Sequence, residues 1–296
     1  MSLLTFLVTM LMANAVNASA IYVRQEAASP CQEQVPSEEF VEISRKLRLE
    51  ASNSSLTRRQ QGNFNIRVYA HIVYDYRRAD GGYIQEHLIA NQIQIMNRHY
   101  RNVGISFTLA HVDKTRHPRW AYGYDEFAMK ENLRKGGYAD LNMYFVASIP
   151  GGAADGSRIY GLCYLPIPRR LQGWEFVRDG CTLIAQSVPG AWGWIRQAHA
   201  ATHEVGHYLG LYHTFEWGNW GERICSPGDD VDDTYPQERP SHYDTRPWVW
   251  ACRGWQRSNM YNFMDYSPHS NSFTPQQASR MRFFANVRRQ IAAGYW

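Results

Sequence analysis

The chain has 296 residues, 44% of them apolar and 20% charged, which is enough to bury a sizeable core and too apolar for a disordered chain. The net charge is only +4, and the basic residues are mostly arginines spread along the sequence rather than clustered, which is too weak an excess to argue for a nucleic-acid partner. No stretch reaches the ~20 apolar residues of a membrane span, and a transmembrane protein, a coiled coil and a low-complexity scaffold are excluded.

In chain order, Leu3 to Met12 is apolar apart from two threonines and leads into small residues ending Ala18-Ser19-Ala20. This reads as a secretory signal over residues 1–20 with an A-x-A cleavage site, and hence a secreted, extracellular protein. Five cysteines in an exported chain suggest two disulfides and one odd thiol. Cys163, Cys181, Cys225 and Cys252 lie in the body of the chain and allow three pairings, while Cys31 stands apart behind the signal.

Residues 21–60 read as a pro-segment. Ser37-Glu38-Glu39 caps a short helix with Phe40, Ile43 and Leu47 on one face. Asn53-Ser54-Ser55 is a glycosylation sequon in a linker composition. Arg58-Arg59 is either a processing site or a pair of solvated arginines. From residue 61 to 296 the texture is that of one globular catalytic domain. Ile66, Val68, Ala70 and Ile72 alternate as a strand, Ile84 to Tyr100 has helical spacing, and Ile105, Phe107 and Leu109 alternate again. Leu141 to Val146 and Thr182 to Ala185 are short buried strands. Thr274-Pro275-Gln276-Gln277 is a capping box that opens a last helix. Helices and strands mix in one unit, which argues an α/β or α+β fold.

The segment that carries chemistry is His203-Glu204-Val205-Gly206-His207-Tyr208-Leu209-Gly210-Leu211-Tyr212-His213. His203 and His207, at i and i+4, sit one above the other on a helix face and can reach one metal. A continued helix would turn His213 away, so the helix must end first, and Gly210 can take the left-handed conformation that ends it. Three neutral nitrogens leave a fourth position open for water, the catalytic zinc arrangement. Glu204 beside the first ligand can take that water's proton and pass it to the leaving amine.

The motif H-E-x-x-H-x-x-G-x-x-H resembles that of the metzincin zinc endopeptidases. Ala201 to His207, Leu211-Tyr212-His213-Thr214-Phe215, Gly228 to Thr234 and Asn262-Phe263-Met264-Asp265-Tyr266-Ser267 narrow the resemblance to the pappalysin family and its secreted fungal members, from about Asn65 onward. The resemblance implies an upper mixed-sheet subdomain (about 61–213) and a smaller lower one (about 214–296), with zinc in the cleft between them. Met264 would floor the metal, and Tyr266 would direct its hydroxyl to the developing oxyanion. Asp229, Val231 and Thr234 would bind calcium, which the crowding of Asp229, Asp230, Asp232 and Asp233 also suggests. The disulfides implied are Cys225–Cys252 and, with it, Cys163–Cys181. A further family bridge is missing, because Asn271 stands where its cysteine would be.

Some metzincins silence their precursors with a thiol on the zinc. Cys31 is the candidate for that switch, although Gln32 replaces the glycine that accompanies such a cysteine in fungal relatives. The resemblance also puts His269 where several pappalysins have an acid that pairs with a basic P1′ residue, so no strong basic preference is expected. Substrate would lie along a sheet edge at Thr182 to Ser187. The reading is a secreted zinc endopeptidase acting on proteins or peptides, with no nucleic-acid or membrane partner. The rivals are a secreted binding protein or effector that keeps a zinc site without protease activity, and a zinc hydrolase of non-peptide amides or esters.

Overall fold

The computed structural model describes residues 31, 36–51, 63–151, 159–191, 199–215, 228–237, 240–241, 246–252 and 254–295. The signal segment 1–20, the Asn53 sequon, Arg58-Arg59 and Cys225 lie outside the described residues. The elements in order are α1 (Glu38–Ala51), β1 (Phe64–Tyr74), α2 (Glu86–His99), β2 (Ile105–Arg116), α3 (Pro118–Ala121), α4 (Glu126–Leu133), β3 (Leu141–Val146), β4 (Gly161–Cys163), α5 (Gly173–Arg178), β5 (Cys181–Ile184), α6 (Ala200–Tyr208), β6 (Trp248–Ala251), β7 (Gly254–Arg257) and α7 (Pro275–Ala292).

Five strands form one sheet in the order β2-β1-β3-β5-β4. β1 pairs in parallel with β2 and β3, β3 pairs in parallel with β5, and β4 closes the edge antiparallel to β5. The central strands β3 and β5 are covered on both faces and are buried at every position, whereas the edge strand β2 is mostly exposed or half-buried. The main core joins Val68, Ala70 and Ile72 of β1, Ile89, Ile93 and Met96 of α2, Val205 and Tyr208 of α6, and Met281 and Ala285 of α7. The architecture is the mixed α/β expected. A separate two-stranded hairpin, β6–β7, lies in the C-terminal part.

Two sequence expectations are refined here. The strand read at Ile105 to Leu109 runs on to Arg116 alongside β1. The expected substrate edge at Thr182 to Ser187 is corrected: β5 is interior, with β3 on one side and β4 on the other, and the edge strand is β4. A run of buried residues looks the same in an interior strand and at a covered edge, so the sequence could not order them. Cys163 and Cys181 are opposite each other in the β4–β5 register and form a disulfide, which fastens the edge strand to the sheet. Cys252 is disulfide-bonded as well.

Candidate metal centre

α6 is nine residues long and buried throughout. It stops because Gly210 takes φ +88°, with Gly210 N–H on His207 O and Leu211 N–H on Gly206 O. These two bonds make a Schellman turn, the C-terminal signal that only a residue tolerant of left-handed backbone completes at low cost. Phe284 of α7 packs where a Cβ at 210 would lie. The turn reverses the chain and brings His213 back to the helix face that carries His203 and His207.

The backbone fixes each imidazole. His203 Nδ1 donates to Phe263 O at 2.7 Å, and His207 Nδ1 donates to Leu211 O at 2.8 Å. With the proton on Nδ1, each Nε2 presents a lone pair. These lone pairs converge: His207 Nε2 is 3.2 Å from His203 Nε2 and 3.1 Å from His213 Nε2. Nitrogens so arranged repel one another unless a cation stands among them. Zinc–nitrogen bonds of ~2.0–2.1 Å in a tetrahedron put the nitrogens about 3.3–3.4 Å apart, so the donor set fits that ion. Burial first, and then the neighbouring His207 and His213, hold His203 well below the usual imidazole range, which keeps it neutral and able to bind metal.

Below the imidazoles runs the turn containing Met264, which is fully buried. Asn262 holds the turn, accepting from Met264 N–H and donating to Gln277 Oε1 in the first turn of α7. Tyr266 O–H lies 3.0 Å from His213 Nε2, at the rim of the nitrogen cluster. Glu204 is buried, and burial pushes its carboxyl up to about 8 against the opposing pull of the Cys31 thiol, His213 and the Cys163 N–H. Cys31 is also in the site. It forms a parallel bridge with Gly161 of β4, and its Sγ lies 3.4 Å from Glu204 Oε2. The ligand atoms of Cys31, His203, His207 and His213 all lie within 4.8 Å of one another.

The expected calcium residues are together as well. The buried Asp229 carboxylate accepts from Thr234 O–H at 2.9 Å and Val231 N–H at 3.1 Å, and Thr234 O–H lies 3.0 Å from Val231 O. Burial raises Asp229 to about 7, so a carboxylate here gains from a nearby cation. Asp233 Oδ1 is buried without a hydrogen-bond partner. His269, by contrast, is exposed, with its backbone N–H on Ser267 Oγ.

A mixed sheet with an antiparallel edge, a short helix ended by a left-handed glycine, three converging imidazoles and a methionine turn beneath them define the metzincin class of metalloprotease. The family profile described as pregnancy-associated plasma protein-A matches residues 195–286. Extracellular metalloprotease 1 of Coccidioides posadasii is 39% identical over 88% of this chain and 89% of its own length. The extracellular metalloproteases of Colletotrichum graminicola (35% identity, 95% of this chain and 98% of the relative) and Pyricularia oryzae (37%, 94% and 95%) are similar over nearly the whole length. In fold, the chain is similar to mature mirolysin of Tannerella forsythia, solved with a cleaved peptide (TM-score 0.63, 24% identity, 78% of this chain and 96% of mirolysin). The chain belongs to the pappalysin family. It is a zinc metalloendopeptidase and, like its named relatives, extracellular.

The sequence reading misses α3, α4, α5, β4, β6 and β7, and of these β4 is the one that borders the site. Its three residues carry no period, and only the Cys163–Cys181 disulfide, one of three pairings open to spacing alone, marks where it lies.

Proposed function

We propose that the chain is made as a pre-pro-enzyme, with a signal at 1–20, a pro-segment at 21–60 and a catalytic domain at 61–296. In it His203, His207 and His213 hold one zinc, Glu204 is general base and acid, and Tyr266 stabilises the oxyanion. The observation that carries this is the convergence of the imidazole lone pairs, two of them oriented by backbone carbonyls. Zinc, when bound, supplies a Lewis acid that polarises a carbonyl and lowers the pKa of water to ~7. Glu204 accepts the proton of the attacking water and returns it to the leaving amine. Tyr266 donates its O–H to the oxygen that develops negative charge. An extended peptide adds as a strand to the β4 edge, where backbone groups give affinity and alternate side chains give specificity. Casein should be digested by the processed enzyme, digestion should stop with a chelator, and zinc should restore it. Zinc binding without casein cleavage would favour the binding-protein alternative, and cleavage of esters or non-peptide amides alone would favour the other hydrolase.

Two further roles belong to this reading. Asp229, Val231 and Thr234 hold calcium, which neutralises a carboxylate that burial otherwise opposes. Saturating calcium, at about 100 times its dissociation constant, should add ~2.7 kcal/mol to the stability of the folded chain. In calorimetry the Asp229→Asn variant should lose that calcium-dependent rise in melting temperature while still binding zinc. The second role concerns the primed side. Ser267 to Pro275 contains no acid, and His269 cannot offset the desolvation of an incoming arginine. Cleavage-site mapping on a proteome-derived peptide library should show apolar and polar P1′ residues without enrichment of Arg or Lys; a profile dominated by those two would place an acid in the pocket from elsewhere in the chain.

A further inference from the structure

Gly161 begins the edge strand β4, directly above Glu204. A Cβ at 161 would lie 2.5 Å from both Cδ and Oε1 of Glu204 and closer still to Cγ. Real Cβ atoms do not approach other heavy atoms so closely. The backbone does not demand glycine here, because Gly161 is not among the residues with positive φ. Glycine is therefore required for space alone, and the side chain that fills the space is Glu204.

Cys31, which bridges to Gly161 of this strand, donates its thiol to Glu204 Oε2. β4 itself is held by its pairing with β5 and by the Cys163–Cys181 disulfide. From these contacts we infer that Gly161 is the positioning residue for Glu204. Its bare Cα lets the edge strand press against the glutamate, and that close wall fixes where the carboxylate lies. The inference rests on the reading of Glu204 as general base.

The consequence of a methyl group at 161 follows from what can yield. The backbone of β4 is fastened to the sheet, and α6 is buried on all sides. The Glu204 side chain has rotatable bonds, so it moves and the fold stays. The enzyme then keeps its ligands and its substrate edge while the base is displaced, and a shift of ~1 Å at a reacting group costs on the order of 10²-fold in rate.

The test uses the full-length chain, secreted and processed, in four variants: Gly161→Ala, Glu204→Gln, the two combined, and Gly173→Ala as control, since a Cβ at 173 meets nothing within 4 Å. The Gly161→Ala enzyme should hold one zinc and melt with the wild type, with kcat lower by ~10²-fold and KM within about threefold. Gly173→Ala should leave kcat unchanged. Added to Glu204→Gln, Gly161→Ala should cause no further loss, because the group through which it acts is already gone. The inference is overturned if Gly161→Ala keeps wild-type kcat, if it loses zinc or melts early, or if it lowers the residual rate of Glu204→Gln by the same factor. Should Glu204→Gln itself stay active, the base assignment fails, and that result is distinct from an active Gly161→Ala beside an inactive Glu204→Gln.

Discussion

Glu204→Gln should leave zinc bound at one ion per chain while casein hydrolysis falls by ~10²–10⁴-fold, the range that general acid–base catalysis contributes. Glutamine has nearly the same volume as the buried glutamate it replaces, so α6 should remain packed. The three imidazoles do not depend on Glu204 for orientation. His203 and His207 are aimed by Phe263 O and Leu211 O, and His213 is returned by the Gly210 turn. What the amide cannot do is accept a proton. His203→Ala should behave differently, losing zinc and activity together because one of the converging nitrogens is gone. Metal analysis of the purified variants beside casein turnover separates the two outcomes. A Glu204→Gln enzyme that digests casein near the wild-type rate would remove Glu204 from the mechanism.

The histidine motif was legible because its logic is local. The i, i+4 spacing and Gly210, three residues before His213, set where the three side chains go from local geometry. The capping box at Thr274 was legible for the same reason, and Gln277 closes it in the structure. What the sequence could not show depends on strand order. Thr182 to Ile184 reads as a buried run, but whether a buried run is an edge is decided by a partner 20 residues away. Gly161-Leu162-Cys163 is too short for any period to appear, so neither the true edge nor the contact of Gly161 with Glu204 could be read. The motif thus shows the chemistry, and the sheet topology shows where an extended peptide meets it.

That topology gives Cys31 its meaning. The residue bridges in parallel to Gly161, on the strand that an extended substrate would use, and its sulfur stands with the three histidines. The proposed precursor is therefore blocked twice by one residue. In this reading the Cys31 sulfur would, as a thiolate, take the fourth position among the nitrogens, and the proton it gives up would pass to Glu204, whose Oε2 already accepts from the thiol. Helix α1 holds the segment independently. Phe40 is fully buried against Tyr212 and Phe284, and Ser44 accepts from the buried Arg280, which also binds Gly210 O. Serine at position 31 would keep the size and lose the ligand, because a hydroxyl does not ionise as a thiol does, while α1 would stay docked and the fold intact. The Cys31→Ser precursor should consequently hydrolyse a short fluorogenic peptide before any cleavage of its own chain, at ~10²-fold above the wild-type precursor if the thiol contributes about 2.8 kcal/mol to occlusion. Intact mass recorded at the start and end of the assay excludes processing as the source of that activity. If the Cys31→Ser precursor proves as silent as the wild type, latency lies with α1 and the backbone bridge, and the thiol is not the switch.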